Sequence, residues 1–370
     1  MKKSFKLFVP FLVSLAGISL LLTACGTGDT FELALVTDIG DIDDKSFNQG
    51  AWEGLVEFAE ANDKTYQYYR PAQVSTAAYI ESIGLAVEQG AKVIVTPGYL
   101  FEVPIFQAQD DYPDTNFVLL DGTPNDGDWS TGSPVYRIED NVLAIFYAEE
   151  QAGFLAGYGA VMDGYRSLGY LGGMAVPAVV RFGIGFAQGI QAAAEDLELT
   201  TPLPLRYHYT GDFDATPRNR TTADNMYAQG VEIIFGAGGS VGQSAMASAE
   251  NLGKKVIGVD VDQSGDSPTV ITSAMKGLGE SVIQALTAYY ADEWPAGETW
   301  ILDAEKGGIG LPTAEDSWGF ETWTVAEYEA LFALLVSGDV VVDPDLELSP
   351  SATDTSLDDL LDLVDITFIA

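Results

Sequence analysis

Cysteine and histidine are almost missing from this chain, with one of each among 370 residues. Cys25 alone can form no intramolecular disulfide and no multi-thiolate metal site. His208 alone, inside a strand-like run from Leu205 to Tyr209, leaves little general-acid machinery for expelling a leaving group. Cations are scarce as well: 17 Lys and Arg face 55 Asp and Glu, a formal net charge of -38. A polyanion binder needs a basic stripe, so nucleic acid is set aside as a partner, and the acidity reads as a solvated exterior. Long apolar runs are lacking too. The stretch from Leu7 to Leu22 falls short of the ~20 residues that cross a bilayer, and Pro10, Ser14 and Gly17 interrupt it.

That short run follows Lys2, Lys3 and Lys6, which gives the charged head and apolar middle of a secretory signal. It ends in Leu22-Thr23-Ala24-Cys25, which resembles the bacterial lipobox. The resemblance implies cleavage before Cys25 and diacylglycerol on its thiol, where the alternative is a buried free cysteine. Residues 1–24 are therefore read as a lipoprotein signal peptide and 25–30 as a tether, which places the protein outside the cytoplasm on the cell membrane. Two or more acyl chains would hold it there stably. With 47% hydrophobic and 11% aromatic residues the remainder can bury a sizeable core, and its length suggests two domains.

Short, nearly continuous apolar runs alternate with amphipathic helical patterns from Phe31 to about residue 342, as in an α/β chain with parallel strands covered on both faces. The clearest strands are Phe31–Thr37, Lys92–Thr96, Asn116–Leu120, Ser167–Leu171, Leu205–Tyr209, Val231–Phe235 and Lys255–Val259. A weak duplication runs through them. Val93–Val95 leads into a glycine turn and a helix before a strand ending at Asp121, and Ile233–Phe235 leads into Gly236-Ala237-Gly238-Gly239 and a helix before a strand ending at Asp260. Two doubly wound parallel-sheet lobes follow, joined by a hinge of three strands. Residues 31–142 and 276–310 are assigned to lobe one, 145–273 and 311–345 to lobe two, and 346–370 to an acidic tail, partly disordered or carrying a short helix over 357–364. A helix is expected from Lys276 to Ala291.

Ligands of doubly wound sheets lie beyond the carboxyl ends of the strands. That rule selects Asp38, Asp121, Phe213, Gly236–Gly239 and Asp260, and sets Phe47 across the cleft from Phe213. Two phenyl rings could hold a purine or pyrimidine at ~1 to 3 kcal/mol each. Core packing is the competing reading for Phe47 and, more strongly, for Phe182. A carboxylate accepts two hydroxyl hydrogen bonds, so Asp260 suits a vicinal diol, while Asp121 could accept from ring N–H or amino groups; a solvated strand-end aspartate is the alternative for both. The glycines, Gly238 among them, would let backbone approach a ligand closely, or simply make a tight turn. Clustered acids from Asp38 to Asp44 leave open a metal-armed nucleoside hydrolase. No metal site, cofactor or catalytic set is assigned, and no ATP-binding loop is found.

Leu35-Val36-Thr37-Asp38 and Asp44-Lys45-Ser46-Phe47-Asn48-Gln49-Gly50 together resemble the signature of the basic membrane protein family, which includes purine nucleoside receptor lipoproteins. Leu120-Asp121-Gly122, Gly172-Gly173-Met174, Tyr209-Thr210-Gly211-Asp212-Phe213, Gly258-Val259-Asp260 and Thr272-Ser273-Ala274-Met275-Lys276 follow in order, so the resemblance covers about residues 31 to 344. It implies a type I periplasmic-binding fold and delivery of a nucleoside to an ATP-binding-cassette (ABC) importer whose permease and ATPase are separate chains. It also implies that Phe47 and Phe213 sandwich a base, that Asp38, Asn48 and Asp121 contact it, and that Asp260 and Lys276 hold ribose. Read without the resemblance, Lys276 would be a surface lysine at a helix start. Related members bind other ligands, so a sugar derivative is the alternative substrate.

Overall fold

The computed structural model describes residues 30–346 and 361–369; the signal segment, Cys25 and most of the tether lie outside them. In chain order the first unit runs β1 (Leu33–Val36), α1 (Phe47–Ala61), β2 (Tyr66–Tyr69), α2 (Thr76–Glu88), β3 (Val93–Pro97), α3 (Glu102–Asp111), β4 (Asn116–Leu120) and β5 (Val142–Tyr147). The chain then crosses to α4 (Glu149–Met162), β6 (Leu168–Gly172), α5 (Pro177–Asp196), β7 (Leu203–Tyr209), α6 (Pro217–Ala228), β8 (Ile233–Ala237), α7 (Val241–Leu252), β9 (Lys255–Asp260) and β10 (Val270–Lys276). It returns through α8 (Leu278–Tyr290) and β11 (Thr299–Leu302). It crosses a third time to β12 (Ile309–Gly310), α9 (Val325–Ser337) and β13 (Val364–Phe368).

The strands form two sheets, ordered β11-β5-β4-β3-β1-β2 and β12-β10-β9-β8-β6-β7-β13. All described pairings are parallel except β10 with β12. Strands β1, β3, β4, β6 and β8 are buried along nearly their whole length, because helices cover both faces of each sheet. In α1, Ala51, Leu55 and Phe58 are buried together, at the three- and four-residue spacing of one helix face.

Sheet membership moves the lobe boundaries. Strand β5 belongs to the first sheet and β10, through Lys276, to the second, so the crossings fall at Ala148, at Gly277 and within residues 303–308. The expected helix from Lys276 begins instead at Leu278. Lys276 is the last residue of a buried strand and is itself buried, so the surface-lysine reading is wrong. The tail also differs from expectation. Residues 361–363 form a turn and Val364–Phe368 is a strand, while the rest of the expected short helix lies outside the described residues. This strand pairs in parallel with β7, Val364 opposite Leu203 and Phe368 opposite Tyr207, and so covers an open sheet edge. Lone His208 serves that junction, its Nδ1 lying 2.7 Å from the Ile369 carbonyl oxygen.

Candidate functional site

Between the carboxyl edges of the two sheets lies a cavity of about 220 Å³, lined by all eight residues singled out in the sequence: Asp38, Phe47, Asn48, Asp121, Phe213, Gly238, Asp260 and Lys276. The lobes touch around it. Ser46 Oγ donates to Asp260 Oδ2 at 2.5 Å, and Gln263 Nε2 donates to the Lys45 carbonyl at 2.6 Å.

The loop before α1 is built around Asp44, a buried carboxylate that caps the helix from two residues upstream of its N-cap. Its Oδ1 accepts from the Ser46 and Gln49 amides, and its Oδ2 from the Asn48 amide and Asn48 Nδ2, all within 3.1 Å. The three backbone amides are donors at the helix start that the helix itself cannot satisfy. Burial pushes the Asp44 carboxyl up, against the pull of those amides. The cap fixes Phe47 as the first residue of α1 and holds Asn48 with Nδ2 between Asp38 and Asp44. Since Nδ2 is committed to two carboxylates, the buried Asn48 Oδ1 is identified as an acceptor, and it has no partner among the described residues. Asp38, just past β1, accepts from Gly40 N and Asn48 Nδ2, and burial pushes its carboxyl up to about 6. Asp41 is tied to Arg70 at 2.7 Å. The acids of this loop thus serve mainly as caps and ion-pair partners, and no group of three or more metal-ligating side chains occurs among the described residues.

Asp121 directly follows β4 and Asp260 ends β9, and the two share an uncommon conformation, φ 55° and 67°. Left-handed backbone at both equivalent positions gives the duplication a physical form, since aspartate tolerates that region better than most residues. Between them sits Lys276, its Nζ 2.5 Å from Asp121 Oδ2, 2.9 Å from Glu149 Oε1 and 3.9 Å from Asp260 Oδ1. The same ammonium lies 4.8 Å from the centre of the Phe47 ring and 5.5 Å from that of Phe182. Burial opposes the charge on Lys276, but the three carboxylates outweigh it and raise its pKa. Burial raises both Asp121 and Asp260, with Lys276 acting against it. Asp121 Oδ1 is buried and, like Asn48 Oδ1, has no hydrogen-bond partner among the described residues. Buried acceptors left open are costly unless something else supplies donors.

Phe47 lines the cavity from lobe one and Phe213 from lobe two. Gly238 has φ 139°, and a Cβ there would lie 2.7 Å from the Gly173 amide nitrogen and 3.3 Å from the Phe213 ring. That side of the turn therefore seats Gly173 and Phe213, while Gly238 itself lines the cavity. Tyr99, Arg70 and residues 176–179 also line the cavity and were not anticipated. Tyr99 and residues 176–179 follow β3 and β6, so the strand-end rule extends to them; Arg70 follows β2, an edge strand whose polar pattern gave no signal. Glu149 likewise follows a strand, β5, which was not among the strands read from the sequence.

The sequence profile of the family described as "ABC transporter substrate-binding protein PnrA-like" matches residues 31–330, and the chain belongs to this family. The "CD4+ T-cell-stimulating antigen" of Listeria innocua is 29% identical over 92% of this chain and 98% of its own length. The "ABC transporter nucleoside-binding protein BmpA" of Lactococcus lactis is 26% identical over 75% of this chain and 80% of its own length. Among solved structures, an ABC transporter solute-binding protein from Aeropyrum pernix superposes with a TM-score of 0.71 at 23% identity, covering 89% of this chain and 97% of that one. The fold is the type I periplasmic-binding fold.

Proposed function

We propose that this chain is an extracytoplasmic receptor, lipid-anchored at Cys25, that captures a nucleoside, a purine nucleoside first, and delivers it to an ABC permease and ATPase. One observation carries the ligand class. Two phenyl rings, Phe47 and Phe213, line one small cleft from opposite lobes, beside the open acceptors Asn48 Oδ1 and Asp121 Oδ1. A heteroaromatic base brings two faces for the rings and N–H donors for the acceptors. Asp260 and Lys276, at the same cleft, suit the hydroxyls of ribose. The nucleoside-binding relative in Lactococcus lactis agrees with this reading. Carboxylates outnumber cations around the cleft, with Asp38, Asp44, Asp121 and Asp260 against Lys276 and Arg70, which favours a neutral ligand over a phosphorylated one.

Calorimetric titration of the mature protein, refolded to strip retained ligand, tests the reading with nucleosides, free bases, ribose and nucleoside 5′-monophosphates. Tight one-to-one binding of nucleosides, with weaker binding of the monophosphates, is expected. Silence from every nucleoside alongside binding of a sugar would move the ligand to another class. A continuing heat of reaction with release of free base would revive the hydrolase.

A further inference from the structure

Glu149 belongs to none of the ligand-facing positions above, yet it is fully buried and stands where the chain first crosses between lobes. Its two oxygens are divided. Oε1 lies 2.9 Å from Lys276 Nζ as an ion pair without hydrogen-bond geometry, and Oε2 accepts from Arg181 Nε at 2.6 Å. Arg181 precedes Phe182 on α5 and also approaches Glu150 at 4.0 Å. Helices α4 and α5 pack closely enough to enforce this geometry. A Cβ on Gly185 would fall 1.9 Å from the Glu150 carbonyl oxygen, and one on Gly153 would fall 2.2 Å from the Phe182 carbonyl oxygen. Lys276 is thus drawn one way by Asp121 at the end of β4 and the other way by Glu149 at the start of α4, with Asp260 at the longer distance of 3.9 Å.

We infer that Glu149, itself held by Arg181, is a positioning residue: it shares the Lys276 ammonium with Asp121 and so leaves Asp121 Oδ1 open for a ligand donor. The Lys276 ammonium donates a hydrogen bond to Asp121 Oδ2 alone among the described residues, so without the Glu149 charge it would be drawn wholly to the remaining carboxylates, closing on Asp260 and on the free oxygen of Asp121. The charged groups facing Asp121 are Lys276 from β10, Glu149 from α4 and Arg181 from α5. Glu149 opposes ionisation of Asp121, while Lys276 and Arg181 favour it. Removing Glu149 and removing Arg181 must therefore displace Asp121 in opposite directions, which loss of packing alone would not do.

This inference rests on the nucleoside reading for its binding arm, and a ligand-free arm keeps the two separable. In Glu149→Gln, nucleoside affinity at pH 8 is expected to fall by roughly tenfold, the size of one charge-assisted hydrogen bond lost to the ligand. The acid limb of its affinity profile moves to lower pH. In Arg181→Gln the limb moves to higher pH. The ligand-free crystal structure of Glu149→Gln should show Lys276 Nζ within hydrogen-bonding distance of Asp260, in place of 3.9 Å. An unmoved Lys276 in that structure overturns the inference whether or not nucleosides bind. So do wild-type affinity and unshifted limbs in two folded variants of a nucleoside-binding protein. Nucleoside silence in the wild type sinks the ligand reading alone, and the crystal structure then decides the role of Glu149.

Discussion

Asp38 is costly to the ligand-free protein in a way that can be measured. Its folded pKa of about 6 stands above the ordinary 3.8, so the folded state holds the proton more tightly than the unfolded chain. The side chain favours folding most below about pH 4, and that contribution is lost as pH rises through about 6. Asparagine keeps the acceptor for Gly40 and Asn48 without titrating. Asp38→Asn should therefore be more stable than wild type at pH 8, relative to pH 4, by about 1 to 2 kcal/mol, the full shift being discounted because the carboxyl opens on the cleft. Equal melting differences at the two pH values would remove burial as the cause. Phe47→Ala probes the opposite balance. The ring is half-buried at the head of α1, so its loss should weaken nucleoside binding about 5- to 150-fold while lowering Tm by no more than about 3 °C. Calorimetry and a thermal melt check both halves. Asp38, Asp121, Phe213 and Asp260 were legible in the sequence because doubly wound sheets bring strand ends to one cleft, and local pattern suffices to find strand ends. Glu149 was not: its partners lie 32 and 127 positions away, and only the packing of α4 on α5 and the end of β10 bring them to it.

At the scale of elements, the glycines of α4 and α5 decide how the hinge charges meet. Gly153 and Gly157 on one helix, and Gly185 and Gly189 on the other, are each four residues apart and meet opposing backbone at van der Waals limits. Backbone cannot yield as a side-chain end can, so Gly185→Ala should cost about 3 kcal/mol or more in chemical denaturation, near the upper part of the overpacking range. A smaller loss would mean that the helices separate freely. The tail strand β13 adds a second element-level test. It buries Leu361 and Val364 and covers the β7 edge, so deleting residues 361–370 should cost about 3 kcal/mol and promote self-association, read by a thermal melt and light scattering. Central strands were visible in the sequence as short apolar runs. Strand β13 was not, because an isolated Val-Asp-Ile-Thr-Phe segment after an Asp-rich stretch becomes a strand only through Leu203–Tyr207, and edge strand β2 was missed because only Tyr69 of its four residues is buried, too little for an apolar run or an alternation.

For the whole molecule, two lobes must approach across a cleft whose charged lining residues are mainly acidic, on a chain of net charge -38. The inter-lobe bonds described here are few, and two of them, from Ser240 Oγ and Gln243 Nε2 to the Asp44 carbonyl, are long at 3.3 and 3.4 Å. Closure is therefore a balance that a ligand's contacts with both lobes can tip, as expected of a receptor whose closed form a membrane partner recognises. The same charge acts on folding, because compaction brings like charges together. Screening shortens the reach of that repulsion from ~10 Å at 0.1 M salt to ~3 Å at 1 M. Buried pairs such as Lys276 with Asp121 are screened far less, so adding salt relieves the surface repulsion without dissolving the site. Tm of the ligand-free mature protein should rise by about 5 °C or more between 0.05 M and 1 M KCl, with most of the gain complete by about 0.5 M, where the screening length has already fallen below the spacing of most surface charges. A flat response would mean that the surface acids are spaced widely enough to carry no net cost. A linear rise without saturation would point instead to salt strengthening apolar burial rather than screening charge.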